Sequence, residues 1–265
     1  MTENITIARL RGMKQAGEKI VSLTAYDAGF AGILDAAGVE IVLVGDSLGM
    51  VLQGGEDTLS VSMDDMVYHG SMVSGACRRA LVVVDMPYRS YETPAAACEN
   101  ARRLVKQGKA EVVKLEGGEE QAQTVATLVD RGIPVCGHVG MQPQPVRKYG
   151  GFKVQGREKK QAERIMAGAC ALEGAGACMV VLECIPASLA ERITMELTIP
   201  TIGIGAGVNC DGQVLVLYDV LGISPRSPHL AKNFLEGAEN IPAAVQEYVR
   251  AVKAGEFPGP EHSFK

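Results

Sequence analysis

The stretch Ile41-Val42-Leu43-Val44-Gly45-Asp46-Ser47 decides how the rest of the chain is read. An uninterrupted apolar run of strand length stops at a glycine, and a carboxylate follows at once. Runs that are apolar on both faces belong to parallel strands covered on either side. The pattern recurs: Leu81-Val82-Val83-Val84 closes on Asp85, Val112-Val113-Lys114-Leu115 on Glu116, and Cys178-Met179-Val180-Val181-Leu182 on Glu183. Laid side by side, such strands bring their four acids to one end of the sheet, the end where α/β enzymes keep their chemistry. Gathered carboxylates repel unless a cation or shared protons intervene, so the pattern points to a divalent-metal site on strand ends. Oxygen-only donors select a hard cation such as Mg2+. Taken singly, each acid reads equally well as a helix N-cap.

Outward from these strands the chain alternates. Residues 4–16 predict a short helix, with Ile7, Leu10 and Met13 on one face, placed to plug the bottom of a barrel. Strands are expected at 19–24, 41–47, 81–85, 111–116, 135–138, 178–183, 201–204 and 214–217. Helices are expected at 29–37, 63–79, 95–107, 119–131, 158–173, 188–197, 229–236 and 241–253. Arg78 and Arg79 would complete the last turn of the helix over 63–79, matching its dipole. The loop over 48–62 has the length of a functional lid. Eight β-plus-α units in one domain of roughly 250 residues fit a (β/α)8 TIM barrel with an N-terminal helix, spanning 1–265. An open doubly wound sheet is the alternative. It lacks its signature, since strand one ends in Thr-Ala-Tyr-Asp instead of a G-x-G-x-x-G turn.

Composition narrows the class. A net charge of −5 and no dense Lys/Arg block argue against a nucleic-acid partner. The polar start MTENITIARLRGMKQAG has no signal-peptide core, and no run has the length of a membrane span. Seven cysteines, an odd number with no C-x-x-C, read as buried hydrophobes of a reducing cytosol, so a cytoplasmic protein is expected.

Several residues beside the acids can carry chemistry. Lys114 and Glu116, two apart, share a strand face. Lys114 can be a charge partner of the acids, an anion binder or a Schiff-base nucleophile. His138 ends strand five and can bind substrate, shuttle a proton or be structural. Ser47 can donate to a substrate carboxylate or serve as a turn hydroxyl. Gly203, Gly205 and Gly207 suit a phosphate loop or a tight turn. Arg147, Lys148, Lys153 and Arg157 can meet an anion or simply be solvated. A Schiff-base aldolase at Lys114, a metal-dependent C–C lyase and a catalytically silent scaffold barrel all remain open on these residues.

Eight ordered motifs now converge. V-G-D-S-L-G-M at 44–50, D-M-P-Y-R-S-Y at 85–91, V-K-L-E-G-G at 113–118, G-H-V-G at 137–140, G-G-F-K-V-Q-G at 150–156, L-E-C-I-P at 182–186, G-I-G-A-G at 203–207 and A-K-N-F at 231–234 resemble the ketopantoate hydroxymethyltransferase family, from about residue 20 to the final E-H-S-F. One departure is V-G-M-Q at 139–142, where the family pattern has L-G-L-T. The resemblance implies a barrel of the phosphoenolpyruvate mutase/isocitrate lyase type and an enzyme of pantothenate synthesis. It implies a homo-oligomer, a decamer built as a pentamer of dimers. It also implies that the co-substrate 5,10-methylenetetrahydrofolate gives a hydroxymethyl group to 3-methyl-2-oxobutanoate. Carried over by position, Asp46, Asp85 and Glu116 match the Mg2+ ligands, and Ser47 and Lys114, with Asp46 and Asp85, match substrate-binding positions. Glu183 matches the proton acceptor. His138 is expected at the substrate.

Overall fold

Eight parallel strands pair in chain order and the last returns to the first, a closed barrel. In the computed structural model, residues 4–144, 153–224 and 228–265 are described. The strands are β1 (Ile20–Thr24), β2 (Ile41–Val44), β3 (Leu81–Asp85), β4 (Val112–Lys114), β5 (Val135–Gly140), β6 (Met179–Glu183), β7 (Thr201–Ile204) and β8 (Gly212–Leu215). Between and after them run α2 (Ala28–Ala37), α3 (Leu48–Val51), α4 (Met63–Ala76), α5 (Pro94–Lys106), α6 (Ala122–Val129), α7 (Lys159–Gly174), α8 (Ala187–Glu196), α9 (Leu217–Val220) and α10 (Ile241–Lys253). Before β1 stands α1 (Ile7–Ala16).

The largely apolar strands serve two cores, one per face. Val21, Leu23, Val42, Val44, Val82, Val84, Val113, Val180 and Leu182 point outward and pack beneath the helices. Ile20, Ile41, Leu43, Leu81, Val83, Val112, Cys136, Met179, Val181, Ile202 and Val214 fill the barrel interior. Ile5, Leu10 and Met13 belong to that interior cluster, so α1 does plug one end. Lys14 fixes the plug by donating to Asp211 Oδ2 at 2.7 Å and to the Thr194 carbonyl at 2.8 Å. The chemistry is left to the other end, where the strands' carboxyl termini lie.

Local chemistry moved several expected boundaries. The helix over 63–79 stops at Ala76, because the Asp35 carboxylate accepts the backbone N–H groups of Arg78, Arg79 and Ala80 at 3.0, 2.9 and 2.7 Å. Arg78 and Arg79 therefore lie past the helix, and Arg79 donates to the Val39 carbonyl. The helix expected over 119–131 is a 3-10 turn (Glu119–Gln121) followed by α6. No helix forms over 229–236. There Asn233 Oδ1 accepts from the backbone of Leu235 and Glu236, a side-chain competitor to helix formation. β8 begins two residues before its expected start.

Candidate active site at the carboxyl ends of the strands

Strand register places the functional groups. Asp85 is the last residue of β3 and stands level with Lys114 on β4. Lys114 Nζ donates to Asp85 Oδ1 at 2.6 Å, and both side chains are buried. The other oxygen of Asp85 accepts the backbone N–H of Asp46 at 3.0 Å, just past β2. Gly45 makes this approach possible: a Cβ there would stand 2.8 Å from Ser47 Oγ and 3.5 Å from Asp85 Oδ2. Ser47 Oγ shares a hydrogen bond of 2.9 Å with the Tyr26 hydroxyl. Glu116 lies two residues beyond Lys114, past the end of β4. His138, on β5, sits between two acids, with Nδ1 3.7 Å from Glu116 Oε1 and Nε2 3.1 Å from Glu183 Oε2. Neither imidazole nitrogen completes a hydrogen bond of ordinary geometry. Glu183 closes β6.

The N-cap alternative does not apply to these acids. Thr93, Gly118 and Pro186 hold the cap positions after β3, β4 and β6, and Ser47 holds the one after β2 without a side-chain capping bond. Asp46, Asp85, Glu116, Glu183, Lys114, His138 and Ser47 all line one cavity of about 440 Å3. So do Met50, Val51 and Thr58 from the loop expected as a lid. Lys153 and Arg157 are exposed, whereas Arg147 and Lys148 lie outside the described residues. Gly205 and Gly207 take positive φ of 59° and 85°, and Cβ atoms there would strike Phe264 and Ala187, so backbone shape accounts for both.

Four carboxylates face one ammonium here, and the protonation equilibria register it. Burial first, then the charge of Asp85, pushes the Asp46 carboxyl up to about 7, against the opposing pull of Lys114. Burial and then Asp46 raise Glu116 well above the usual carboxylate range. Burial alone would lower Lys114, but Asp85, Glu116 and Asp46 together outweigh it and hold the amine protonated. The 2.6 Å contact with Asp85 makes Lys114 a charge partner of the acids. A Schiff-base nucleophile needs the neutral amine.

One central residue escaped the sequence reading. Gln144 is 4% exposed and bridges the acids. Its side-chain amide donates to Asp46 Oδ2 at 2.9 Å and to the Met86 carbonyl at 3.0 Å, while its backbone N–H donates to Glu116 Oε2 at 3.1 Å. The Tyr91 hydroxyl donates to Gln144 Oε1. Nothing in Gln142-Pro143-Gln144-Pro145 marks the second glutamine, because its partners come from remote strands.

Among the described residues, no three His, Cys, Asp or Glu side chains are gathered closely enough to form a metal cluster by themselves. Lys114 and Gln144 engage Asp85 and Asp46 instead. The donor chemistry still fits Mg2+. The available atoms are hard carboxylate oxygens, and Glu116 Oε1 is buried without a hydrogen-bond partner. Mg2+ requires only one or two carboxylates, taking its other ligands from water and substrate.

Comparison with known proteins adds a second line of argument. Residues 4–260 match the family model described as ketopantoate hydroxymethyltransferase. A protein of Halorhodospira halophila named 3-methyl-2-oxobutanoate hydroxymethyltransferase is 54% identical over 98% of this chain and 95% of its own. One of the same name from Nitrosococcus oceani is 57% identical over 98% and 99%. Among solved structures, phosphonopyruvate hydrolase superposes with a TM-score of 0.63 at 12% identity, over 84% of each chain. The 2,3-dimethylmalate lyase, a PEP mutase/isocitrate lyase superfamily member, does so at 0.60 and 17%, over 82% of each. At such identities these two speak for the fold alone.

Proposed function

The chain belongs to the ketopantoate hydroxymethyltransferase family, and from that membership we propose that it transfers a hydroxymethyl group to 3-methyl-2-oxobutanoate. The product is 2-dehydropantoate, an intermediate of pantothenate synthesis, and the donor is 5,10-methylenetetrahydrofolate. The observation that carries the reading is the buried excess of carboxylates at the barrel mouth, with Lys114 set against Asp85.

The reaction joins C3 of a 2-oxo acid to a one-carbon unit, so C3 must first lose a weakly acidic proton. Asp46 and Asp85, with Glu116 behind them, would hold Mg2+. When bound, the ion supplies Lewis acidity toward the carboxylate and keto oxygens of the substrate. Lys114 supplies fixed positive charge where the enolate oxygen develops, and Ser47 a donor for the substrate carboxylate. Glu183, on the far side of His138 from Glu116, takes the C3 proton. His138, buried between the two glutamates with Nε2 3.1 Å from Glu183 Oε2, stands at the substrate site. The carbanion then bonds to the methylene carbon as one of its two C–N bonds to the folate breaks, water displaces the second nitrogen to provide the hydroxyl oxygen, and tetrahydrofolate departs with its two nitrogens protonated by the C3 proton and a proton of that water.

Free cysteines throughout support a reducing compartment, the cytoplasm. Among the described residues, no helix is long and apolar enough to cross a membrane. A homo-oligomer is part of the same proposal and rests on family membership. The function is tested by incubating the protein with 3-methyl-2-oxobutanoate, 5,10-methylenetetrahydrofolate and Mg2+. Formation of 2-dehydropantoate with matching release of tetrahydrofolate is expected. No product under these conditions, from protein shown to be folded, rejects it.

A further inference from the structure

The cavity is larger than the acids account for. Asp46, Asp85, Lys114, Glu116, His138 and Glu183 occupy the arc of the mouth from β2 to β6. The remaining arc, β7–β8–β1, is a different surface. Ile204, Val214, Val216 and Leu230 line it, and its one carboxylate is Asp219. A volume of about 440 Å3 is in the range that encloses drug-sized ligands, well beyond a small branched 2-oxo acid.

Asp219 comes from α9, whose start is tied to β1 by the Leu217 N–H donating to Thr24 Oγ1 at 3.0 Å. The residue is only 8% exposed and is among those lining the cavity. Among the described residues no Lys, Arg or His acts on it as a charge partner. Burial holds its carboxyl above the usual range, partly offset by the neighbouring Ser224 hydroxyl. Ser224 Oγ is itself buried and completes no hydrogen bond of ordinary geometry. A carboxylate in an apolar wall with no cationic partner is costly unless a ligand brings donors to it. The acid arc does not use it.

We propose that Asp219 receives the 2-amino-pyrimidinone edge of the reduced pterin of the folate donor, with the ring lying against the apolar wall of Ile204, Val214 and Leu230. The identity of that ligand rests on the function proposed above. A carboxylate offers two coplanar acceptors, and the ring N–H and exocyclic amine of a pterin offer two parallel donors. The match is the one that makes arginine a bidentate partner of carboxylates. Ser224, able both to donate and to accept, stands beside the pair. The two arcs face each other across one cavity, so a pterin on one and a 2-oxo acid on the other meet inside it.

The test is calorimetric titration with tetrahydrofolate, since a chain with no tryptophan offers no indole signal. Wild type and Asp219→Asn are compared, each with tetrahydrofolate and with its 2-desamino analogue. The expected result is a Kd for tetrahydrofolate raised about tenfold or more in the variant, the same loss for the analogue on wild type, and little further loss for analogue and variant combined. Equal binding of the two ligands by wild type, no tetrahydrofolate binding at all, or an affinity indifferent to Asp219→Asn overturns the subsite. Should the variant fail to fold, the two ligands on wild type decide alone. Exchange of the C3 proton of 3-methyl-2-oxobutanoate by the unmutated protein, run alongside, judges the proposed function separately. Exchange with Asp219-independent folate binding removes the subsite and keeps the function, and Asp219-dependent binding without exchange does the reverse.

Discussion

Glu183 and Asp46 are both strand-end acids, yet their surroundings differ. Glu183 stands apart from the Lys114–Asp85 pair, against His138. In its proposed role as the base for the C3 proton, its replacement by Gln should cut C3 exchange by roughly 10²–10⁴-fold while leaving substrate affinity near the wild-type value. Proton NMR in D2O, paired with a substrate titration, reads both quantities, and wild-type exchange in Glu183→Gln would remove it from the role. Asp46 sits inside the repelling group. Its carboxyl rises from an ordinary 3.8 to about 7 in the folded protein, so the fold binds its proton more tightly than the unfolded chain does. That contribution is complete below pH 3.8 and is lost as pH rises through about 7. In EDTA, wild type should therefore lose stability across that window. Asp46→Asn should lose less, ending more stable by roughly 1–3 kcal/mol at pH 8. Urea denaturation at several pH values checks this, and parallel pH profiles would contradict it. At this scale the acids and Lys114 were legible because each sits on or just beyond a strand. Gln144 and Asp219 were not. Gln144 meets Asp46 across 98 residues of sequence, and Asp219 gains its meaning only from a cavity wall.

Elements were most legible where one face carried the signal. Leu10 and Met13 announced a buried stripe on α1, and both are fully or nearly fully buried in the barrel interior. Leu10→Ala should cost roughly 2–5 kcal/mol, as for a large side chain removed from a packed core. It should leave the site untouched, because α1 closes the opposite end. Equilibrium unfolding measures the first and C3 exchange the second; a stability loss under ~1 kcal/mol would mean that α1 is not a plug. Two of the misplaced helix bounds share a cause, a polar side chain intercepting backbone groups. Asp35 ends α4 before Arg78, and Asn233 replaces a helix over 229–236 with turns. Propensity along the chain contains neither event, since each depends on which oxygen reaches which N–H.

The whole molecule was legible as a barrel because eight apolar strands, alternating with helices, leave few other ways to cover both faces. Closure converts that local pattern into function. Parallel order puts every strand's carboxyl end at one mouth, so acids spaced far apart in the chain become neighbours. α1 seals the other end. The mouth then divides into a charged arc, proposed to enolise a 2-oxo acid, and an apolar arc with Asp219. The central claim is that the charged arc removes the C3 proton of 3-methyl-2-oxobutanoate with the help of Mg2+. It is tested most directly by following the C3 proton signal in D2O without folate, once with Mg2+ and once with EDTA. The account predicts exchange with Mg2+ that stops in EDTA. Exchange that persists in EDTA, or its absence in both, would contradict it.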